Sequence, residues 1–151
     1  KSATAGIIYA PMLKKLFWGD VRNGAKMLFN GKENTISIRE VPNSGPVALA
    51  SRSHLDSETE TFLSKEKIIE TKNIGSSLKF ALLACGDADI YPRFGPTMEW
   101  DTAAGEAILK AAGGNVFFLD GKKHFYGKAS WKNDAFLACG GYFPNSVKIK
   151  N

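Results

Sequence analysis

The stretch IGSSLKFALLACGDADIYPRFGPTMEWDTAAG, residues 74–105, carries a helix signal, a strand signal and a second helix signal in quick succession. Ser76 or Ser77 is placed to cap a helix over Leu78–Cys85, and Gly86 ends it because glycine accepts the left-handed turn that closes a helix. Ala88–Tyr91 is a short apolar run that reads as a buried strand, ended by Pro92, which has no N–H for a ladder. Asp101–Ala112 is a helix built on small residues and closed by Gly113-Gly114. Helix, strand and helix at this spacing predict an α/β layer around a central, mostly parallel or mixed sheet.

The flanks extend that pattern. Toward the carboxy terminus, Val116–Leu119 and Lys123–Tyr126 flank Asp120-Gly121 as a hairpin, and Ala135–Cys139 forms a last strand. Toward the amino terminus come a strand at Ile68–Thr71, a helix capped by Asp56 and running to about Lys65, and a strand at Val47–Ser51. Glu58 and Glu60 suit the positive end of that helix. Residues 41–46 (VPNSGP) form a loop. Before it lie strands at Ala5–Ala10, Leu16–Trp18, Ala25–Phe29 and Thr35–Ile38, with Asn23-Gly24 as a hairpin turn. Two units follow, a β-meander over residues 1–46 and an α/β domain over residues 47–151. The chain enters a strand almost at once and has no initiator Met, so it reads as the middle of a longer protein.

Composition narrows the class. Hydrophobic residues make up 44% of the 151 residues, enough for a core, and charged residues 23%. Lys and Arg number 20 against 15 Asp and Glu, a net charge of +5 that suits an anionic ligand. Cys85 and Cys139 stand far apart in apolar surroundings and read as reduced core residues of a cytosolic protein. No run approaches the ~20 apolar residues that span a bilayer, and no signal peptide opens the chain. Glycine-rich P-loop, G-x-S-x-G, C-x-x-C and H-E-x-x-H patterns are all missing.

Three places are suited to chemistry. Asp101 stands near a helix start, where free N–H groups and the dipole favour negative charge, and a carboxylate is a hard oxygen ligand of the kind magnesium takes. The small residues after it let a phosphate approach the backbone, although the same pattern describes a plain N-cap with packing contacts. Ser51-Arg52-Ser53-His54 follows an apolar strand, at the end where ligands of α/β folds collect. His54 suits a base and Arg52 a phosphate, or else the segment is a capping loop. Gly75-Ser76-Ser77-Leu78-Lys79, with Arg93 further on, offers hydroxyl, ammonium and guanidinium groups for an anion, or else a capped helix with a surface lysine. His124 reads as a solvated hairpin residue, and Trp18, Trp131 and the ten Phe residues read as core.

Residues 74–105 together with ASRSHLD (50–56) and GIIYAPMLKKLFWG (6–19) resemble the inositol monophosphatase superfamily, and within it the bisphosphate nucleotidases of the CysQ type. W-D-x-A-A-G marks the superfamily; YPRFGPTMEWDTAAG after GSSLKF marks the nucleotidase branch. The resemblance implies a layered α/β sandwich of which this chain is the carboxy-terminal half. It also implies hydrolysis of 3'-phosphoadenosine 5'-phosphate to AMP and phosphate in sulfate assimilation, with two or three magnesium ions and inhibition by lithium. In that family most metal ligands, a glutamate and a D-P-x-D-G-T/S motif, come from the amino-terminal half, and neither occurs here. Asp101 matches the one ligand of the carboxy-terminal half and is the expected catalytic and metal-binding residue. His54, Ser76, Lys79 and Arg93 match nucleotide contacts, with Arg52 a weaker match. The implied partners are a bisphosphate nucleotide and the missing half, with no nucleic acid polymer. The implied location is the cytoplasm, with peripheral contact to the bacterial inner membrane also compatible. The fragment alone is expected to be inactive. An inositol or sugar phosphate phosphatase and a non-catalytic anion-binding module are the competing readings.

Overall fold

The computed structural model describes residues 1–51 and 56–150. Its first four strands, β1 (Ala5–Ala10), β2 (Lys15–Asp20), β3 (Gly24–Phe29) and β4 (Lys32–Ile36), form an antiparallel meander in sequence order. After it run β5 (Val47–Ala50), α1 (Ser57–Lys65), β6 (Glu70–Asn73), α2 (Leu78–Ala84), β7 (Ile90–Arg93), β8 (Thr97–Met98), α3 (Glu99–Ala111), β9 (Asn115–Phe118), β10 (Lys132–Asn133) and β11 (Phe136–Cys139). A five-stranded sheet has the order β6-β5-β7-β11-β9. Strand β5 is parallel to β6 and β7, whereas β11 is antiparallel to β7 and β9, so the sheet is mixed as expected.

Burial on both faces explains why the strands of this sheet read as continuous apolar runs. Val47 and Leu49 of β5, Tyr91 of β7 and Phe136 and Ala138 of β11 face a core shared with α2 and α3. The alternate residues Ala48, Ile90, Leu137 and Cys139 face a second core with Phe62 and Leu63 of α1. Phe17 and Ala25 of the meander join the first core. The layers are therefore meander, α2 with α3, mixed sheet, and α1. Edge strand β6 is fully exposed and carries Glu70 and Lys72, charges that discourage pairing with another chain. Buried Asp89 ties the connecting segment to the mixed sheet, accepting from Arg39 Nε and Nη2 at 2.9 and 2.8 Å and from the Val47 N–H at 2.7 Å.

Small residues let α3 approach its neighbours closely. A Cβ on Gly6 would lie 2.2 Å from the Ala104 carbonyl oxygen, and one on Gly105 would lie 2.6 Å from the Phe80 ring and 2.8 Å from its Cβ. The A-A-G run thus seats the helix between β1 and α2. Gly105→Ala gains about 1 kcal/mol of helix propensity but overpacks a filled site, which costs about 1–3 kcal/mol. A net loss is expected, read as a midpoint several degrees lower in thermal unfolding; a raised midpoint would refute this packing.

Four expectations need correction. Asp120-Gly121 does turn, with the Phe118 N–H donating to Lys122 O at 2.8 Å, but the return strand ends at a single bridge, Phe117–Lys123. β9 takes β11 as its partner, and after His124, whose N–H still donates to Val116 O at 3.0 Å, residues 125–131 cross to α3 instead. Pro92 does not end its strand: it lies inside β7, two residues past the Ala48–Ile90 pairing, where the lack of an N–H is tolerated. The short pair β8–β10 carried no strand signal. Trp131, Phe125 and Phe29 are 55%, 48% and 37% exposed, so they are not core, and Trp18 is only half-buried. No helix among the described residues is long and apolar enough to cross a membrane.

Candidate functional site

Asp101 is the third residue of α3 rather than its cap, because the helix starts at Glu99. Glu99 is pinned there: its N–H donates to Trp131 O at 2.8 Å, and its carboxylate accepts from the Gly127 and Lys128 N–H groups and Lys128 Nζ, each at 2.9 Å. Burial opposes ionisation of Glu99, but the hydrogen bonds from Lys128 and Gly127 hold its carboxyl at about 2. Met98, with φ −107° and ψ 159°, is the N-cap and has no polar side chain to cap with. Asp101 supplies that function, Oδ2 accepting from the Met98 N–H at 2.7 Å. Its carboxylate is exposed, and Oδ1 has no hydrogen-bond partner among the described residues.

The opposite wall comes from α2 and β7. Lys79 is not a surface lysine; it is 3% exposed, lies over the Tyr91 ring at 4.7 Å, and donates to Ile74 O at 3.1 Å and Ser76 O at 3.0 Å. An ammonium has three donors, so one remains for a ligand. Burial, and then the positive charge of Arg93, push Lys79 down to about 8. Arg93 donates from Nε to Gly95 O at 3.1 Å and from Nη2 to Pro96 O at 3.3 Å, and its other guanidinium hydrogens have no partner among the described residues. Ser76 adopts the left-handed conformation, φ 63°, and its hydroxyl is exposed at the turn into α2. Ser76, Lys79, Arg93 and Asp101 all line one cavity of about 570 Å³, whose floor includes Tyr91 and Phe136. His54 and Arg52 lie outside the described residues.

His124 corrects the sequence reading most sharply. It is 3% exposed and packs between the rings of Phe118, Tyr126 and Phe136. Its Nδ1 lies 2.7 Å from Glu106 Oε2, an oxygen that also accepts from Tyr126 OH at 2.6 Å. Glu106 is fully buried on the inner face of α3, with Lys110 Nζ at 2.5 Å from Oε1 as an ionic partner without a well-directed hydrogen bond. Burial works against the Glu106 charge, but His124, the Lys110 ammonium and the Tyr126 hydroxyl prevail and lower its pKa. The polar run DGKKHFYGK (120–128) looks solvated, and nothing local marks the histidine as one that turns inward. Tyr91, beneath Lys79, and Thr102 also line the cavity without being among the expected site residues; the Tyr of Y-P-R is the one local signal for them.

Two cations, a serine hydroxyl and one exposed carboxylate around a cavity are groups with the chemistry to hold an anion, with a hard-cation ligand at the rim. Among the described residues no three His, Cys, Asp or Glu side chains come together to hold a metal. The unpartnered Oδ1 of Asp101 fits magnesium as one ligand of several, since that ion keeps waters and takes one or two carboxylates with substrate phosphates.

The sequence profile described as the inositol monophosphatase family matches residues 1–140. The chain is 44% identical over 117 residues to a Salmonella typhimurium protein named 3'(2'),5'-bisphosphate nucleotidase CysQ, spanning 78% of this chain and 46% of that protein. A Buchnera aphidicola protein of the same name is 40% identical over 136 residues, 88% of this chain and 51% of that one. The chain spans about half the length of these relatives. The crystal structure of CysQ from Bacteroides thetaiotaomicron matches with a TM-score of 0.78 at 36% identity, over 93% of this chain and 59% of that one. An inositol monophosphatase from Anabaena matches with a TM-score of 0.70 at 26% identity, over 91% and 54%. With the profile covering nearly the whole chain and the same α/β fold in the solved relatives, this chain belongs to the inositol monophosphatase family.

Proposed function

We propose that this chain is the carboxy-terminal half of a magnesium-dependent 3'(2'),5'-bisphosphate nucleotidase, a cytoplasmic phosphatase that converts 3'-phosphoadenosine 5'-phosphate to AMP and phosphate. In this reading residues 1–46 end the amino-terminal half of the family fold and residues 47–151 form the second domain. The observation that carries it is the convergence of Ser76, Lys79, Arg93 and Asp101 on one cavity, in a chain 40–44% identical to proteins named for that activity. Ile7, Tyr9 and Trp100 at the cavity rim are 63%, 60% and 67% exposed, an apolar face suited to cover by the other half.

Asp101 Oδ1 is the magnesium ligand contributed by this chain, while Oδ2 stays on the Met98 N–H and keeps the carboxylate aimed. Magnesium, when bound, neutralises phosphoryl charge and lowers the pKa of a coordinated water. Lys79 and Arg93 hold a ligand phosphate through charge-assisted hydrogen bonds, and the Ser76 hydroxyl adds a neutral one. His54 is the contact for the base. Lithium inhibition belongs to the same reading. The deciding experiment joins this chain to the amino-terminal portion of such a relative and measures phosphate release with magnesium. Bisphosphate nucleotide is expected to turn over well ahead of inositol monophosphate. Preference for the inositol ester would overturn the substrate, and metal-independent nucleotide binding without turnover would indicate an anion-binding module.

Lys79 makes the pH dependence specific. With a pKa of about 8 the ammonium is present at neutral pH and lost as pH rises past that value. KM for the nucleotide is therefore expected to climb above pH 8. Lys79→Met is expected to raise KM at pH 7 by roughly 10- to 100-fold, the value of a hydrogen bond to a charged group, and to flatten the alkaline rise. An alkaline rise unchanged in the methionine variant would remove Lys79 from ligand binding.

A further inference from the structure

The turn that leads into α3 is held from behind by a side chain with no part in the cavity. Asn133 of β10 is 3% exposed, and its Nδ2 donates to Met98 O at 2.9 Å, with Thr97 Oγ1 at 3.1 Å and Thr102 Oγ1 at 3.2 Å. Met98 O can only accept, so this contact fixes which end of the amide is nitrogen. The other end, Oδ1, therefore accepts from His124 Nε2 at 3.2 Å, and His124 is in turn seated on Glu106 through Nδ1. The Met98 residue is gripped at both ends: its carbonyl by Asn133, its N–H by the Asp101 carboxylate. Met98 has no polar side chain of its own to stiffen this turn.

We propose that Asn133 is a positioning residue for Asp101: its amide, oriented by His124, fixes Met98, whose N–H aims the carboxylate into the cavity. The inference rests on the reading of Asp101 as a metal ligand. Without the amide, Met98 O loses its side-chain partner and that peptide keeps only the Glu99 N–H bond to Trp131 O, so the direction of Asp101 Oδ1 broadens, which weakens a cation that demands near-ideal geometry. Lys79 stands on α2, away from this bracing, and Arg93 is carried by β7 and held by Gly95 O and Pro96 O ahead of the Asn133 contacts, so contacts to the anion are largely kept. The signature is a metal defect without a nucleotide defect.

The test uses the chain joined to the amino-terminal portion and reads Mn²⁺ binding by calorimetry, with no substrate present. Asn133→Asp keeps an acceptor for His124 and removes the donors to Met98 and Thr102. It is expected to weaken Mn²⁺ binding ~10-fold, in the range found when partners of metal ligands are removed, while KM for the nucleotide at saturating magnesium changes less than about twofold. Asn133→Ser carries the same expectation and replaces the aspartate variant should that one not unfold cooperatively. Combined with Asp101→Asn, either change is expected to add almost nothing, because the two act through one ligand. Mn²⁺ affinity within about twofold of the parent in both variants, or fully additive losses in the double variants, would overturn the positioning role. If Asp101→Asn itself leaves Mn²⁺ affinity unchanged, the reading of Asp101 falls first; if Asp101→Asn weakens it and Asn133 variants do not, this inference alone falls.

Discussion

Asp101→Asn in the protein completed by its amino-terminal portion is expected to cut kcat/KM at least ~100-fold, a loss of roughly 3 kcal/mol or more in transition-state stabilisation. The substitution is close to isosteric. An asparagine oxygen can still accept from the Met98 N–H, so the first turn of α3 keeps its geometry. What is lost is the anionic oxygen that the proposed function makes a metal ligand and a favourable charge in the first turn, the latter worth only about 0.3–1 kcal/mol of stability. Activity and stability should therefore separate, with turnover nearly abolished and the thermal midpoint lowered by no more than a few degrees. Full turnover in the Asn variant would remove Asp101 from the site. A parallel collapse of stability would make its role one of helix capping alone.

Glu106→Ala should do the reverse. Its carboxylate is the shared acceptor of His124 Nδ1 and Tyr126 OH and the ionic partner of Lys110. Lys110 is 16% exposed in its side chain and can turn to water, but His124 has no such escape. Breaking a buried pair by removing one partner costs about 3–5 kcal/mol, which for a chain of this size lowers the thermal midpoint by about 10 °C. The pH dependence follows from the lowered pKa of Glu106. The carboxylate's stabilisation is fully present above the ordinary glutamate value of 4.5 and is lost as pH falls through the lower folded value. The gap between parent and variant is expected to be constant near neutrality and to close in acid. A midpoint within about 2 °C of the parent at pH 7 would show that the buried cluster contributes little net stability.

The two variants probe opposite ends of one helix, and only one end was legible beforehand. Asp101 stood out because a carboxylate near a helix start, followed by small residues, is a pattern contained within one turn. Glu106 did not stand out, because a glutamate in mid-helix is ordinary until the partner facing it is known. His124 lies 18 residues away, in a run rich in lysine and glycine that favours water on local grounds. Lys79 was noticed for its type and place, but its burial under Arg93 and over Tyr91, which sets its protonation near 8, depends on β7 packing behind α2.

Elements whose causes are local are legible in the residues alone. Asp56 caps α1 by accepting from the Thr59 N–H at 2.7 Å, Gly86 closes α2 with φ 74°, and Asn23-Gly24 turns β2 into β3. Each signal acts over a few residues, through a dihedral or one hydrogen bond, so it survives without knowledge of the rest. The alternation of strands and helices, and a motif spanning residues 74–105, were likewise enough for the fold class and the family. It takes the packed molecule to place Pro92 within a strand, to turn residues 125–131 from their hairpin to α3, and to join His124, Glu106 and Asn133 in one buried chain behind Asp101. Those outcomes depend on which surfaces meet across long stretches of chain. A buried charge or amide takes the conformation that satisfies its hydrogen bonds, and its partners are supplied by packing rather than by its neighbours in sequence.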